Sequence, residues 1–128
     1  MACENIGEDE FRLILGETRF GLALCTISGE LLLVNQEYAS IIGYTGESSL
    51  SLQYWKVTPR KFETVERQIV GHILSKKQYG PYIKQYVNKT KGLVPVRLWF
   101  SHIRHGSADL IWTVVEELRI IRTVPRLA

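Results

Sequence analysis

Histidine and cysteine are the first side chains to test for chemistry, because they are the usual metal ligands and nucleophiles. The chain has three histidines and two cysteines among its 128 residues. His102 and His105 lie three residues apart, with no acid or cysteine at the spacing of a metal site. Cys25 lies in an apolar run that is typical of a buried strand. These residues predict neither a metal site nor a catalytic nucleophile.

Paired carboxylates are a second chemical possibility, since two of them can act as general acid and general base. Glu63 and Glu66 share a helical face, but the basic residues beside them are typical of a solvated surface. Glu116 and Glu117 alternate across a strand and cannot face one site. The segment 46–50 lacks the second glycine of the hydrolase signature G-x-S-x-G. We therefore predict that the protein is not an enzyme; a small α+β enzyme would need an acid within its apolar lining.

Composition and charge narrow the class further. A chain that is 45% apolar and 23% charged is typical of a soluble globular domain. The net charge of +3 is uneven: residues 1–19 carry −3 and residues 56–104 carry +9. The basic residues do not run together, and the aromatic residues near them alternate as in strands. This pattern favours solvated outer positions over a nucleic-acid partner.

The same composition indicates where the protein works. No apolar run is long enough to cross a bilayer, so we predict no membrane span in this segment. The first ten residues are acidic and do not resemble a secretory signal. Two cysteines are too few for a disulfide framework and favour a reducing compartment. We therefore expect a cytoplasmic protein.

The apolar pattern predicts a helix, two strands, several helices and three strands, in that order. A helix is expected at 8–19, and strands at 20–27 and 30–34 around a glycine turn. Asn35 then caps a short helix, which Gly43 ends.

The second half of the chain predicts one long helix and three strands. Thr58-Pro59 is expected to begin the helix, with Thr58 as its cap, and the helix runs to about Lys77. Gly80-Pro81 is expected to break the chain before strands at about 82–89, 93–103 and 109–118. Strands separated by a block of helices predict an α+β fold with one antiparallel five-stranded sheet and helices on one face. Because both sheet faces are partly apolar, the N-terminal helix is expected to cover the other face.

The chain resembles a PAS domain, the small sensory module of bacterial and other signalling proteins. The resemblance rests on "GLALCTISGELLLVNQEYASIIGYTGESSL", "YWKVTP", "YGPYIKQYVNKTKGLVPVRL" and "WTVVEEL", which occur in the order and spacing of the family. Asn35, Gly43 and Tyr44 match the family's hairpin, Asn, helix, Gly-Tyr sequence. This implies a single PAS domain over 1–128, with its core at about 11–118 and the start of an output linker at 119–128.

The resemblance also allows two PAS cofactors to be tested. Flavin-binding photoreceptors of the family use a cysteine on a helix within an Asn-Cys-Arg-Phe-Leu-Gln type motif, which is missing here, while Cys25 lies on the first strand. Haem-binding members supply a histidine early in the long helix, where this chain reads "PRKFETVE" and His72 comes later. Flavin and haem are therefore not predicted. The cofactor is unknown, and a haem-binding sensor is the less favoured alternative.

A PAS core places a cavity between the sheet and the helices, so we predict a site for a small-molecule ligand there. The expected ligand-binding residues are Leu24, Leu32, Tyr38, Ile42, Ile69, Ile73, Tyr86, Leu98, Phe100 and Thr113. The alternative is a fully packed core in a ligand-free module for protein interaction. That module would dimerise through an apolar patch of Phe11, Ile14, Leu15 and Trp99.

The function implied by the resemblance is sensing or regulation within a bacterial signal-transduction protein. A ligand, or dimerisation, would control an attached or partner output domain, such as the histidine kinase of a two-component system or a diguanylate cyclase. A homodimer is expected.

Overall fold

The structure, a computed structural model, describes residues 20–50 and 52–118. Its largest element is an antiparallel sheet of five strands: β1 (Gly21–Thr26), β2 (Leu31–Val34), β3 (Gln78–Asn88), β4 (Gly92–His105) and β5 (Ala108–Glu117). Their spatial order is β2-β1-β5-β4-β3, so β1 and β5 are neighbours at the centre. The predicted α+β class with a single five-stranded antiparallel sheet is confirmed. The predicted helix at 8–19 lies outside the described residues.

The helical elements lie between β2 and β3 in the chain and pack on one face of the sheet. They are α1 (Gln36–Ile42), α2 (Gly46–Ser49), two 3₁₀ helices (Tyr54–Val57 and Arg60–Phe62) and α3 (Glu63–Lys76). The core contains Ala23, Cys25, Val96, Leu98, Ile111 and Val115 from the sheet, and Tyr38, Ile41, Ile42, Val57, Ile69 and Ile73 from the helical side. We call the sheet face that carries this core the inner face.

Asn35 caps α1, as its position in the sequence predicts, and its side chain also bonds to β1. Its Oδ1 accepts hydrogen bonds from the backbone N–H of Tyr38 at 2.9 Å and of Leu22 at 2.8 Å. One side chain therefore caps the helix and fixes the end of a strand. Gly43 ends α1 in the left-handed conformation with φ of 80°. The predicted cap residues at both ends of this helix are confirmed.

The predicted start of the long helix is wrong. Thr58 does not cap it; its hydroxyl donates to the carbonyl of Tyr54 at 3.0 Å. Pro59 leads into the 3₁₀ turn Arg60–Phe62, and α3 begins only at Glu63. The Thr58 hydroxyl is therefore hydrogen-bonded inside the fold, and it also accepts a hydrogen bond from Lys84.

The predicted chain break at Gly80-Pro81 is also wrong. Strand β3 begins at Gln78 and continues through these two residues, with an irregular register between Tyr79 and Tyr82. The Gly80-Pro81 peptide bond is cis, and Gly80 has a φ of 138°, which is open to glycine only. A bulge thus absorbs the two residues without ending the strand.

Candidate functional site

A small cavity lies between the inner face and the helices, as a PAS-like arrangement predicts. Its volume is about 30 Å³, which is room for one or two water molecules. The lining residues are Ala23, Cys25, Leu31, Tyr38, Tyr54, Glu66, Ile69, Val70, Ile73, Lys84, Tyr86, Phe100, Ile111 and Thr113. A drug-sized molecule does not fit this space without movement of its walls.

A buried ion pair crosses one side of this cavity. Lys84 Nζ lies 2.8 Å from Glu66 Oε2, and the two side chains are 1% and 11% exposed. The same ammonium donates to the hydroxyl of Thr58 at 2.9 Å. Lys84 belongs to β3, Glu66 to α3 and Thr58 to the segment before α3, so this group ties three parts of the fold together.

Aromatic rings complete the surroundings of the pair. Lys84 Nζ lies 4.4 Å from the centre of the Tyr86 ring and 5.3 Å from that of Tyr54, both within cation–π range. The hydroxyl of Tyr82 donates to Glu66 Oε2 at 3.1 Å. Burial lowers the pKa of Lys84, and the negative charge of Glu66 opposes this shift. The pair is therefore a strongly desolvated charge network within an otherwise apolar core.

Two tyrosines form a second polar contact at the cavity wall. The hydroxyl of Tyr38 donates to that of Tyr86 at 3.1 Å, and both residues are almost completely buried. Burial raises the pKa of both phenols, so they remain protonated and act as hydrogen-bonding groups. This pair joins α1 to β3 across the core.

Cys25 lines the cavity as a protonated thiol. Burial raises its pKa to about 12, although the positive charge of Lys84 acts in the opposite direction. A thiol in that state is a poor nucleophile at neutral pH. Its place in the core agrees with the interpretation of Cys25 as a small apolar residue.

We expect the protein to lose stability as the pH rises above about 9, and Cys25 to contribute to that loss. In the unfolded chain the thiol titrates near its ordinary pKa of 9.0, while the folded state holds its proton up to about 12. The unfolded state then binds fewer protons, and the free energy of unfolding falls with pH. One unit above pH 9 this amounts to about 1.4 kcal/mol for this single thiol.

Urea denaturation of the wild type and Cys25→Ala at neutral pH and near pH 10 measures this effect. The variant should lose about 1.4 kcal/mol less between the two pH values. The buried tyrosines change stability in the same direction and Lys84 in the opposite one, but both effects are common to the two proteins. Equal losses in both proteins would show that Cys25 does not hold its proton in the folded state.

A larger cleft opens to solvent beside the cavity, between the β1–β2 turn, the two 3₁₀ helices and α3. Its volume is about 500 Å³. The lining residues are Ile27, Tyr54, Trp55, Thr58, Pro59, Arg60, Glu63, Glu66, Arg67 and Val70. Tyr54, Glu66 and Val70 line both spaces, so the ion pair lies on the wall between the cavity and the cleft.

Glu66 has one carboxylate oxygen engaged and one available. Its hydrogen bonds from Lys84 and Tyr82 both end on Oε2. Oε1 accepts no hydrogen bond from any residue in the described ranges, and it is not a fully enclosed atom. Because Glu66 lines the cleft, a molecule there lies beside a carboxylate that is itself held in place by Lys84.

The structure brings six of the ten predicted ligand-binding residues to the cavity wall: Tyr38, Ile69, Ile73, Tyr86, Phe100 and Thr113. Ile42 and Leu98 are fully buried in the core but lie outside the lining. Whether any of the ten contacts a ligand stays a prediction.

Leu24 and Leu32 lie elsewhere, and their predicted place in the lining is wrong. On β1, Ala23 and Cys25 point to the inner face, so Leu24 points to the outer one. On β2, Leu31 is buried and Leu32 is 41% exposed. In each strand the prediction is off by one residue, and one residue reverses the face of a side chain.

Eight lining residues were not predicted from the sequence, among them Tyr54, Glu66 and Lys84. The interpretation of Glu66 as part of a solvated surface is wrong, because this residue is buried and places an acid within the apolar lining. Lys84 alternates with Tyr82 and Tyr86 along β3, which places it on their face. Glu66 precedes Ile69 and Ile73 at helical spacing, which places it on the apolar face of α3. Both signals are present in the sequence, but charged residues are seldom expected inside a core.

Of the four predicted dimer-interface residues, the structure describes Trp99 alone. Trp99 is half-buried on the outer face of the sheet, whereas Phe11, Ile14 and Leu15 lie outside the described residues.

His102 pairs with Asp109 at 2.8 Å, a contact that the sequence spacing did not reveal. Within residues 20–50 and 52–118, no three His, Cys, Asp or Glu side chains converge as metal ligands. None of the helices in those ranges could span a membrane.

Comparison with solved structures identifies this arrangement of strands and helices. A PAS domain from a two-component sensor histidine kinase matches with a TM-score of 0.75 and 13% identity, over 86% of this chain and 95% of that one. The PAS domain of a protein from Colwellia psychrerythraea matches with 0.77 and 7%, over the same shares.

A further match is the PAS-B domain of Cycle from Drosophila melanogaster, solved with bound ethylene glycol. It has a TM-score of 0.69 and 9% identity, over 77% of this chain and 99% of that one. No family model matches the sequence, and no curated protein does. At such low identities the comparisons establish the fold and leave the function to be argued from the site.

Proposed function

Because the chain has the PAS fold, we propose that it is a sensory or regulatory module, which binds a small ligand in the cleft and controls an output domain. The observation that carries this proposal is the buried Lys84–Glu66 pair on the wall between cavity and cleft. A buried ion pair is weak evidence for stability, since apolar residues of similar size often stabilise a core as well. Polar groups aimed into a largely apolar recess are typical of a ligand site.

The sizes of the two spaces indicate how a ligand would bind. The cleft of about 500 Å³ can hold the body of a small molecule, while the cavity of about 30 Å³ admits only a small group. The ligand therefore lies mainly in the cleft and meets Glu66 at its inner end. Binding there competes with or reinforces the contacts that hold α3 against β3.

A change at this contact can be passed on as a shift between two packings of α3 on the sheet. Lys84 connects β3 to α3 through Glu66 and to the preceding segment through Thr58. A ligand that prefers one arrangement shifts the population towards it, by no more than its difference in affinity. The output domain would be attached or a partner, and two structural neighbours are described as parts of sensor histidine kinases.

A second function, a ligand-free dimerisation module, is favoured by one observation. Ile83, Val87 and Leu93 on β3 and β4 are 61%, 38% and 56% exposed, and strand pairing places Val87 opposite Leu93. Adjacent exposed apolar side chains mark interaction surfaces in many proteins. If the protein is such a dimerisation module, the cleft has no ligand-binding role.

Native mass spectrometry of the purified protein, compared with its denatured mass, tests both functions. We expect added mass that is lost on denaturation, because a cleft of this size with a charged inner wall should retain its ligand. A bare chain at twice its own mass, with no thermal stabilisation by a panel of small metabolites, would contradict ligand binding and support the dimerisation module. Ile83→Lys should then return the dimer to a monomer.

A further inference from the structure

The charges around the cleft leave one cation without a partner. Arg67 pairs with Glu63 at 2.7 Å, and Glu66 pairs with Lys84 at 2.8 Å. Arg60 makes no ion pair or hydrogen bond through its side chain with any residue of the described ranges. With the two pairs neutral, the wall of the cleft carries a single positive charge, and that charge belongs to Arg60.

A guanidinium that lacks a partner favours a planar anion, because its donors match the two oxygens of a carboxylate or phosphate. The neighbouring carboxylates of Glu63 and Glu66 repel a group that carries two negative charges. A phosphate monoester carries nearly two at neutral pH, whereas a carboxylate carries one. The balance of charge therefore favours a carboxylate.

The walls of the cleft favour an apolar, planar body between its ends. The rings of Tyr54 and Trp55 meet edge to face, with their centres 5.5 Å apart, and the Trp55 side chain is 44% exposed. Ile27, Pro59 and Val70 supply aliphatic surface to the same cleft. An aromatic ring packs well against such surfaces.

The inner end of the cleft requires a hydrogen-bond donor. Glu66 Oε1 accepts no hydrogen bond within the described residues, and its partner oxygen is fixed by Lys84 and Tyr82. A ligand that covered this oxygen without donating to it would leave a charged acceptor buried and unsatisfied. A hydroxyl or N–H group at that end of the ligand avoids this cost.

We infer that the cleft binds a small aromatic carboxylic acid, with its carboxylate at Arg60 and a hydroxyl or N–H donor at Glu66 Oε1. This inference rests on the proposed ligand-binding function and adds the class of ligand to it. The negative end of the molecule lies at the mouth of the cleft, and the donor lies at the wall of the inner cavity.

Isothermal titration calorimetry with three matched compounds tests the class. 4-Hydroxyphenylacetate carries both features, phenylacetate lacks the hydroxyl, and 4-hydroxyphenethylamine replaces the carboxylate with a cation. We expect the first to bind, the second to bind about tenfold more weakly, and the third to show no binding, since hydrogen bonds to charged groups are worth about one to two powers of ten in affinity.

Arg60→Gln, with Lys61→Gln as its control, tests the role of the guanidinium. Lys61 is the next residue, is exposed and does not line the cleft, so both variants lose one positive charge at nearly the same place. Arg60→Gln should weaken binding of 4-hydroxyphenylacetate about tenfold or more, and Lys61→Gln should leave it nearly unchanged. Equal weakening by both variants would reduce the effect to general electrostatics and overturn the inference.

The remaining outcomes separate this inference from the proposed function. Preference for the amine over the acids would overturn the ligand class, while ligand binding in the cleft would stand. If none of the three compounds binds but native mass spectrometry shows a bound molecule, the ligand class is again overturned and ligand binding stands. Absence of binding by all three and a bare protein would overturn both proposals.

Discussion

Lys84→Met should lower the free energy of unfolding by about 3–5 kcal/mol, the range expected when one partner of a buried ion pair is removed. The methionine side chain fills nearly the same space, so the loss comes mainly from the carboxylate of Glu66, which then lies 11% exposed without its cation. The hydroxyl of Thr58 loses its donor as well. Urea denaturation at neutral pH measures the change.

The double variant Glu66→Gln, Lys84→Met is the matched control. Removing the carboxylate charge should recover a large part of the lost stability, because a neutral amide is far less costly to bury than an unpaired carboxylate. Tyr82 can still donate to the remaining oxygen of the amide. If the double variant is no more stable than Lys84→Met, the ion pair does not account for the loss.

Gly43→Ala should destabilise the protein by at least about 2 kcal/mol. Gly43 ends α1 with a φ of 80°, which costs an L-residue with a side chain about 1–2 kcal/mol. A Cβ at this position would lie 2.6 Å from Asn88 Oδ1 and 2.8 Å from the backbone nitrogen of Lys89. One of these neighbours is backbone, so the β3–β4 turn itself must move.

Gly71→Ala is the control for the same chemical change. Gly71 lies within α3, is exposed, and a Cβ there would meet nothing within 4 Å. Alanine is the better helix former by about 1 kcal/mol, so this variant should be more stable than the wild type. Thermal or urea denaturation of both variants should give changes of opposite sign. A Gly43→Ala protein as stable as the wild type would mean that α1 does not end in this left-handed conformation.

Local signals in the sequence were sufficient for most of the fold. Asn35 and Gly43 bracket a short apolar helix, and the alternation in β4 and β5 is regular enough to predict both strands. At the start of the long helix the prediction failed, and a distant residue contacts the chain there. Thr58 matches a helix cap by type and position, but Lys84, 26 residues later in the chain, uses its hydroxyl.

The candidate site was less predictable than the fold for two physical reasons. Successive residues of a strand point to opposite faces of the sheet, so an error of one position places a side chain on the wrong face, as Leu24 and Leu32 illustrate. Glu66 and Lys84 are buried only because each neutralises the other, and neither sequence position reveals its partner. A single charged residue on an otherwise apolar face therefore indicates a buried ion pair when another apolar face carries a residue of opposite charge.

The central position of β1 and β5 has a mechanical consequence. Gly21 lies opposite Val115, so the chain enters and leaves the described fold at the same end of these two strands. A pull applied between residues 20 and 118 separates these two antiparallel strands from that end, so that their hydrogen bonds break in succession. Successive rupture needs less force than simultaneous rupture. Tension from any polypeptide attached on the two sides would therefore open the sheet at its centre, and we expect the domain to yield under a small load.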